Sequence, residues 1–163
     1  MADLILWRHA EAEAIAVSGR DADRMLTKRG RKDAVKMANW LKQYLPANAI
    51  VLCSPARRCQ ETAAALGEMN NIDIKTAEFL SVNGTMQRIV AELAALDSSK
   101  TILLVGHQPN LGLLIAKLLG IQESACVVKK GAVWWLRQRR ADDERKTALQ
   151  TYLVTVQHPD FLS

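Results

Sequence analysis

The chain has 163 residues, with 22 Lys plus Arg against 17 Asp plus Glu, a formal net charge of +5. Apolar residues make up 49% and charged residues 24%, an ordinary globular mix that excludes a wholly disordered chain. At roughly 100–200 residues per domain this length suits one domain with a substantial core, and no apolar run approaches the roughly 18–20 residues of a membrane span.

Residues 4–7 read as a buried strand. The start MADLILWRHA has neither the basic beginning nor the long apolar stretch of a signal peptide. Residues 11–24, rich in Ala, Asp and Arg without a period, read as a loop. Thr27 is placed to cap a helix in which Ala34, Met37, Ala38, Leu41 and Leu45 recur at three- and four-residue steps. Pro46 and Asn48 end it. Residues 50–53 form a second strand, Pro55 sits where a helix can open, and an Ala- and Glu-rich run continues to about residue 68. Asn70-Asn71 signals a turn before a short strand over 72–76. Met86, Ile89, Val90, Leu93 and Leu96 mark another amphipathic helix, broken at Ser98-Ser99. Residues 101–105 are a third apolar strand, and Pro109 opens a helix that Gly120 stops after Leu119.

The last third differs in kind. Residues 132–136 and 147–156 are rich in Trp, Val, Tyr and Thr, with the fully polar RQRRADDERK between them. That predicts an antiparallel hairpin with a long charged loop. Strands alternating with helices before it predict βαβ units and a parallel sheet. The expected fold is an α/β/α three-layer sandwich, mainly parallel, with the hairpin on an antiparallel edge, and residues 1–163 form a single domain.

Three cysteines, Cys53, Cys59 and Cys126, are odd in number and lack CxxC spacing. They argue against a disulfide framework or zinc knuckle and read as reduced apolar fillers in a cytoplasmic chain. Basic residues gather late in the sequence (Lys129, Lys130, Arg137, Arg139, Arg140, Arg145, Lys146). Net positive charge favours anionic partners. Aromatic residues are only 5%, which leaves little for bases to stack on, so the cluster reads as a solvated face and hairpin loop rather than a nucleic-acid surface. Trp7, Trp40, Trp134 and Trp135 read as packing residues, and His158 as a surface residue.

Three strands run directly into polar residues fit for catalysis: the first into Arg8-His9, the second into Ser54-Pro55-Ala56-Arg57-Arg58, the third into Gly106-His107-Gln108. In an open parallel sheet the carboxyl ends of the strands line one edge, where ligands bind. Two of the chain's three histidines and two or three arginines therefore converge. Arginine offers a permanently charged fork of donors that matches phosphate. Neutral histidine is a nucleophile toward phosphorus. A second histidine, if protonated, adds positive charge beside the transferring oxygens, and the helix opening after His107 adds backbone donors. Rival chemistries lack their signatures. There is no HxH, HxxxH or HExxH for a metal, no GxSxG for a serine esterase, and Cys53 is followed by Arg58 at five residues rather than six.

At these residues the sequence resembles the histidine phosphatase superfamily, of phosphoglycerate-mutase-like fold. Leu6-Trp7-Arg8-His9-Ala10 is similar to its RHG motif, with Ala10 for Gly. Ser54 to Thr62 is similar to S-x-x-x-R-A-x-x-T, with Cys59 for Ala, which makes Arg58 the phosphate-binding arginine and Arg57 its exposed neighbour. Val105-Gly106-His107-Gln108-Pro109-Asn110 resembles the second-histidine motif of the short SixA-type phosphohistidine phosphatases. Arg24-Met25-Leu26-Thr27-Lys28-Arg29-Gly30 resembles their R-P-L-T-x-x-G, with Met25 for Pro.

The resemblance implies a nucleophilic His9, a phosphate pocket of Arg8, Arg58 and His107, and a backbone N–H from Gln108. It implies no metal or organic cofactor. Arg24 sits inside a family-like segment, and Arg24 and Arg57 are candidates for the pocket rim. Larger relatives carry an acid that protonates an alkoxide leaving group. Here Glu78 is the nearby carboxylate, without an obvious match to that motif, and the long insertions that cover small substrates are missing. An open site suits a protein-borne substrate, and a phosphorus–nitrogen bond needs less acid assistance. The expected function is therefore metal-independent hydrolysis of phosphohistidine in proteins. Two rivals remain at this point: a phosphomonoesterase for a small metabolite, and a non-catalytic phosphate- or nucleic-acid-binding module using Arg139 and Arg140.

Overall fold

The computed structural model describes residues 2–140 and 149–163. Six strands form one sheet: β1 (Ala2–Arg8), β2 (Ile50–Cys53), β3 (Ile74–Thr76), β4 (Ile102–Gly106), β5 (Val133–Arg140) and β6 (Leu149–Gln157). Their order is β3-β2-β4-β1-β5-β6. The first four are mutually parallel, with Leu4 opposite Ile102 and Ile50 opposite the same residue. β5 runs antiparallel to β1, and β6 antiparallel to β5. Four helices cover the faces: α1 (Lys28–Tyr44), α2 (Arg57–Asn70), α3 (Met86–Ala94) and α4 (Asn110–Leu119).

The parallel strands are apolar at nearly every position because both of their faces are covered. Alternate side chains enter two separate cores. Leu4, Leu6, Leu52 and Leu104 pack with Ile89 of α3 and Leu111, Leu114 and Ile115 of α4. Ile5, Trp7, Val51, Cys53, Leu103 and Val105 pack with Met37 and Leu41 of α1 and Ala63 and Leu66 of α2. Trp135 and Trp7 belong to this second core, and Trp40 packs against it. All three cysteines are buried and free.

Local signals set the helix ends. The Thr27 hydroxyl accepts from the Gly30 N–H at 2.9 Å, capping α1. Gly120, with φ of 66°, takes the left-handed cap of α4. Pro109 is the N-cap residue of α4. The second helix opens later than Pro55: Ala56 is its N-cap and Arg57 its first residue. The Ser54-Pro55 step is spent on a turn in which the Ala56 N–H donates to Ser54 Oγ at 3.3 Å.

The hairpin departs from its expected boundaries. β5 continues through Arg137, Gln138, Arg139 and Arg140, residues that read as loop on polarity alone. The reason is a partner on β1. Asp3 lies opposite Arg137 in the antiparallel register and accepts from Arg137 Nε at 2.7 Å and Nη2 at 2.9 Å. The rest of the expected charged loop, including Arg145 and Lys146, lies outside the described residues. Among the described residues no helix is long and apolar enough to cross a membrane.

Candidate active site

The carboxyl ends of β1, β2 and β4 meet, and backbone bonds lock them together. The His9 N–H donates to Gly106 O (3.1 Å), the Ser54 N–H to Val105 O (3.0 Å) and the Gly131 N–H to His9 O (3.0 Å). Three segments about fifty residues apart in sequence are thus fixed in one plane. The Trp7 indole donates to Gly131 O at 3.1 Å, tying the turn before β5 to the same edge.

His9 and His107 face each other with ring centroids 5.4 Å apart. Both are buried, at 6% and 5% exposure. His9 Nδ1 lies 2.8 Å from Ala10 O. A carbonyl only accepts, so Nδ1 carries the ring proton and Nε2 keeps its lone pair. Burial pushes the His9 pKa down to about 3; the Ala10 hydrogen bond opposes this, and His107, Arg58 and Arg8 add to it. His107 is pushed down to about 4 by burial and by Arg58, with Asp21 opposing and Arg8 adding. Both rings are therefore neutral at pH 7 in the field of the protein alone. The positive charge expected of a protonated His107 is not supplied by the protein's own electrostatics.

Charge comes instead from two arginines. Arg8 Nη1 donates to Val128 O at 3.0 Å, while its buried Nε has no acceptor among the described residues. Burial, then the Arg58 charge, lowers its pKa. Arg58 is 4% exposed. It donates from Nη1 to Asp21 O (3.0 Å) and from Nη2 to the Asp21 carboxylate (3.1 Å). Asp21 is held in turn by Arg24 Nη1 at 2.9 Å. Hydrogen bonding to Arg24, then to Arg58, keeps the Asp21 carboxyl below its ordinary pKa against the opposing effect of burial.

Buried hydroxyls brace this centre, and sequence reading gave them no role. Ser54 Oγ shares a 2.8 Å hydrogen bond with His107 Nε2. Thr62 Oγ1 accepts from the Ala10 N–H (3.0 Å) and donates to Arg58 O (2.7 Å), joining the His9 loop to α2. Both residues flank Arg58 at four-residue steps in the motif quoted above, and that spacing was the available signal. Cys59 is more than filler: its sulfur lies 3.5 Å from His107 Nε2. Burial pushes its thiol up to about 12, so it stays protonated.

The side chains of the other expected residues lie around this centre rather than in it. The Gln108 side chain caps α4, accepting from the Gly112 N–H at 2.8 Å, while its backbone N–H finds no acceptor among the described residues. Arg24 is committed to Glu13 O (2.6 Å) and Asp21, and so reaches the centre only through Asp21. Arg57 is 52% exposed and pairs with Glu61 at 3.1 Å. Glu78 is exposed in the 3-10 turn after β3. Among the described residues its carboxylate bonds nothing, and no His, Cys, Asp or Glu cluster is arranged to hold a metal.

The fold brings to this edge of an α/β sheet two neutral histidines, two arginines and the unengaged Gln108 N–H. Such a set of donors and charges matches an oxyanion. Comparison with known proteins narrows the class. The histidine phosphatase superfamily (branch 1) profile matches residues 4–81. A SixA phosphohistidine phosphatase homologue from Haemophilus influenzae is 31% identical over 129 residues, covering 72% of this chain and 77% of that protein. The phosphohistidine phosphatase SixA of Escherichia coli is 32% identical over 120 residues, covering 71% and 73%. Among solved structures, the protein histidine phosphatase SixA complexed with tungstate aligns with a TM-score of 0.80 at 26% identity, over 97% of both chains. A mycobacterial glucosyl-3-phosphoglycerate phosphatase aligns at 0.69 and 20% identity, over 93% of this chain and 96% of that one, a likeness of fold alone. The chain belongs to the histidine phosphatase superfamily.

Proposed function

We propose that residues 1–163 act as one histidine phosphatase domain that removes phosphate from phosphohistidine in proteins. The supporting observation is the pairing of a neutral His9, with its Nε2 lone pair free, and the buried Arg8 Nε that lacks an acceptor. An unpaired buried guanidinium donor is costly unless a ligand completes it. A phosphoryl oxygen does so and brings phosphorus within reach of His9.

In this reading His9 Nε2 attacks phosphorus and the bond to the substrate's imidazole nitrogen breaks. That nitrogen takes its proton from water. Water then attacks the phosphorus on His9, the P–Nε2 bond breaks, and inorganic phosphate leaves. Arg8, Arg58 and the Gln108 N–H hold the transferring oxygens. Dianionic phosphate reverses the field on His107 and draws a proton onto it, so the second positive histidine arrives with the substrate. Ser54 keeps that ring in place. The chemistry asks for no metal, because arginines supply the charge. The relatives named phosphohistidine phosphatase support the same substrate class.

The test is phosphate release from a histidine-phosphorylated protein and from an aryl phosphate, side by side, with excess chelator and with His9→Ala. The expected result is release from phosphohistidine that survives chelation and is lost in the variant. Release from the aryl ester alone would replace this reading with a metabolite phosphomonoesterase.

A further inference from the structure

Next to the phosphate pocket lies a cleft of about 310 Å³ whose floor includes Arg8 and whose wall includes Lys129, Lys130 and Val127. The turn that carries the lysines is part of the catalytic edge. Val128 O holds Arg8, Gly131 N–H holds His9 O, and Lys129 O accepts from Ala132 at 2.9 Å. The other charges of the cleft are already engaged. Arg29 lies near Asp33 and Asp160 (3.8 and 3.4 Å), and the Glu11 carboxylate accepts from the Thr27 hydroxyl at 2.8 Å. Lys129 and Lys130 are exposed and, among the described residues, have no carboxylate partner. Nothing in the fold needs two free ammonium groups here. They add positive potential at the rim of a site whose ligand is anionic.

We infer that the Lys129–Lys130 cleft docks the phosphoprotein by acidic side chains flanking its phosphohistidine. The inference rests on the function proposed above. The occupant is a protein rather than a nucleic acid because of the other flank. The loop that carries Asp21 exposes Ile15 and Val17, at 79% and 109%, aliphatic contacts that a protein surface uses and a polyphosphate backbone does not. Free phosphohistidine carries no flanking side chains to meet either flank, so it feels the lysines only through their screened field, whereas the protein meets them directly.

The experiment compares kcat/KM on three probes: free phosphohistidine, a phosphohistidine peptide flanked by Asp and Glu, and the same peptide with Asn and Gln instead. The full-length enzyme should prefer the acidic peptide about tenfold at low salt, and the preference should fade as salt screens it. K129E/K130E should abolish or invert the preference between the two peptides, while free phosphohistidine, which meets only the rim's screened field, loses no more than the neutral peptide does. The milder K129Q/K130Q should reduce it in proportion to charge. Equal rates on both peptides in the wild type, or a preference untouched by K129E/K130E, would overturn the inference. Failure of the wild type on all three probes, with an aryl phosphate still cleaved, would instead overturn the underlying function.

Discussion

β1 carries an acid near one end and a base at the other, and the fold treats them oppositely. Near the amino end Asp3 is fully partnered. It accepts two hydrogen bonds from Arg137 and one from the Trp135 indole. Burial works to raise its pKa, and those bonds from Arg137 and Trp135 outweigh it, so the carboxyl ends below its ordinary value. Arg137 is correspondingly raised, first by Asp3. At the carboxyl end Arg8 is more deeply enclosed yet receives only one backbone carbonyl, with its Nε unpaired. The same protein gives Arg137 a carboxylate where a strand must be held and gives Arg8 none at the proposed anion site, where the one carboxylate, Asp21, is spent on Arg58. Charge satisfaction marks the structural end of β1, and an unpartnered Arg8 Nε marks the end at the candidate site.

The largest break in that contrast comes from His9→Ala. It should lower turnover by on the order of 10⁴-fold or more, with near-native circular dichroism, as read by phosphate release. Arg58→Ala should lower kcat/KM by on the order of 10²–10³-fold, whereas Arg57→Ala, on the solvent side, should cost less than about threefold. The reverse order would mean that Arg57 is the phosphate ligand. Asp21→Asn sharpens the comparison. It removes the lone carboxylate that holds Arg58, and should cost about tenfold, mostly in KM, because the guanidinium loses its position while the nucleophile is untouched.

Asp3→Asn probes the other end. Arg137 is a third exposed, so solvent screens the pair. The expected loss is about 1 kcal/mol, hence about 2–4 °C in Tm, with activity within about twofold of wild type. The smallest effect is in pH dependence. Burial, above all, lowers His9 to about 3 and His107 to about 4 from the 6.5 of an ordinary imidazole. Between pH 6.5 and those values the unfolded chain binds protons that the folded one refuses. Stability is therefore full above pH 6.5 and declines as pH falls toward 4. His107→Asn should flatten that decline in denaturant titrations, and inorganic phosphate should steepen the wild type's Tm gain at pH 5.5 more than that of Arg58→Ala.

How much of this was legible in the sequence follows a physical line. Features set by neighbours in sequence were readable. Thr27 caps α1 and Gly120 ends α4 because capping is local. The three strand ends were readable too, since a parallel sheet gathers them whatever the loops do. Features set by a distant partner were not. Arg137 reads as loop until Asp3 is known to lie across from it. The Arg24–Asp21–Arg58 chain needs the fold of residues 11–24 around α2, which no period announces. The neutral state of His107 depends on burial and on the Arg58 field, neither of which a motif states.

The strand order has a further consequence, in how the protein is made. β1 pairs with β4 and β5, so the earliest of the six strands is one whose partners come late. Leu4, Ile5, Leu6 and Trp7 have no sheet to join until about a hundred further residues have left the ribosome. By then α1, β2 and α2 have already been made. β1, which ends on Arg8 and leads into His9, enters the sheet with the closing of its centre, so the candidate site and the middle of the sheet assemble together.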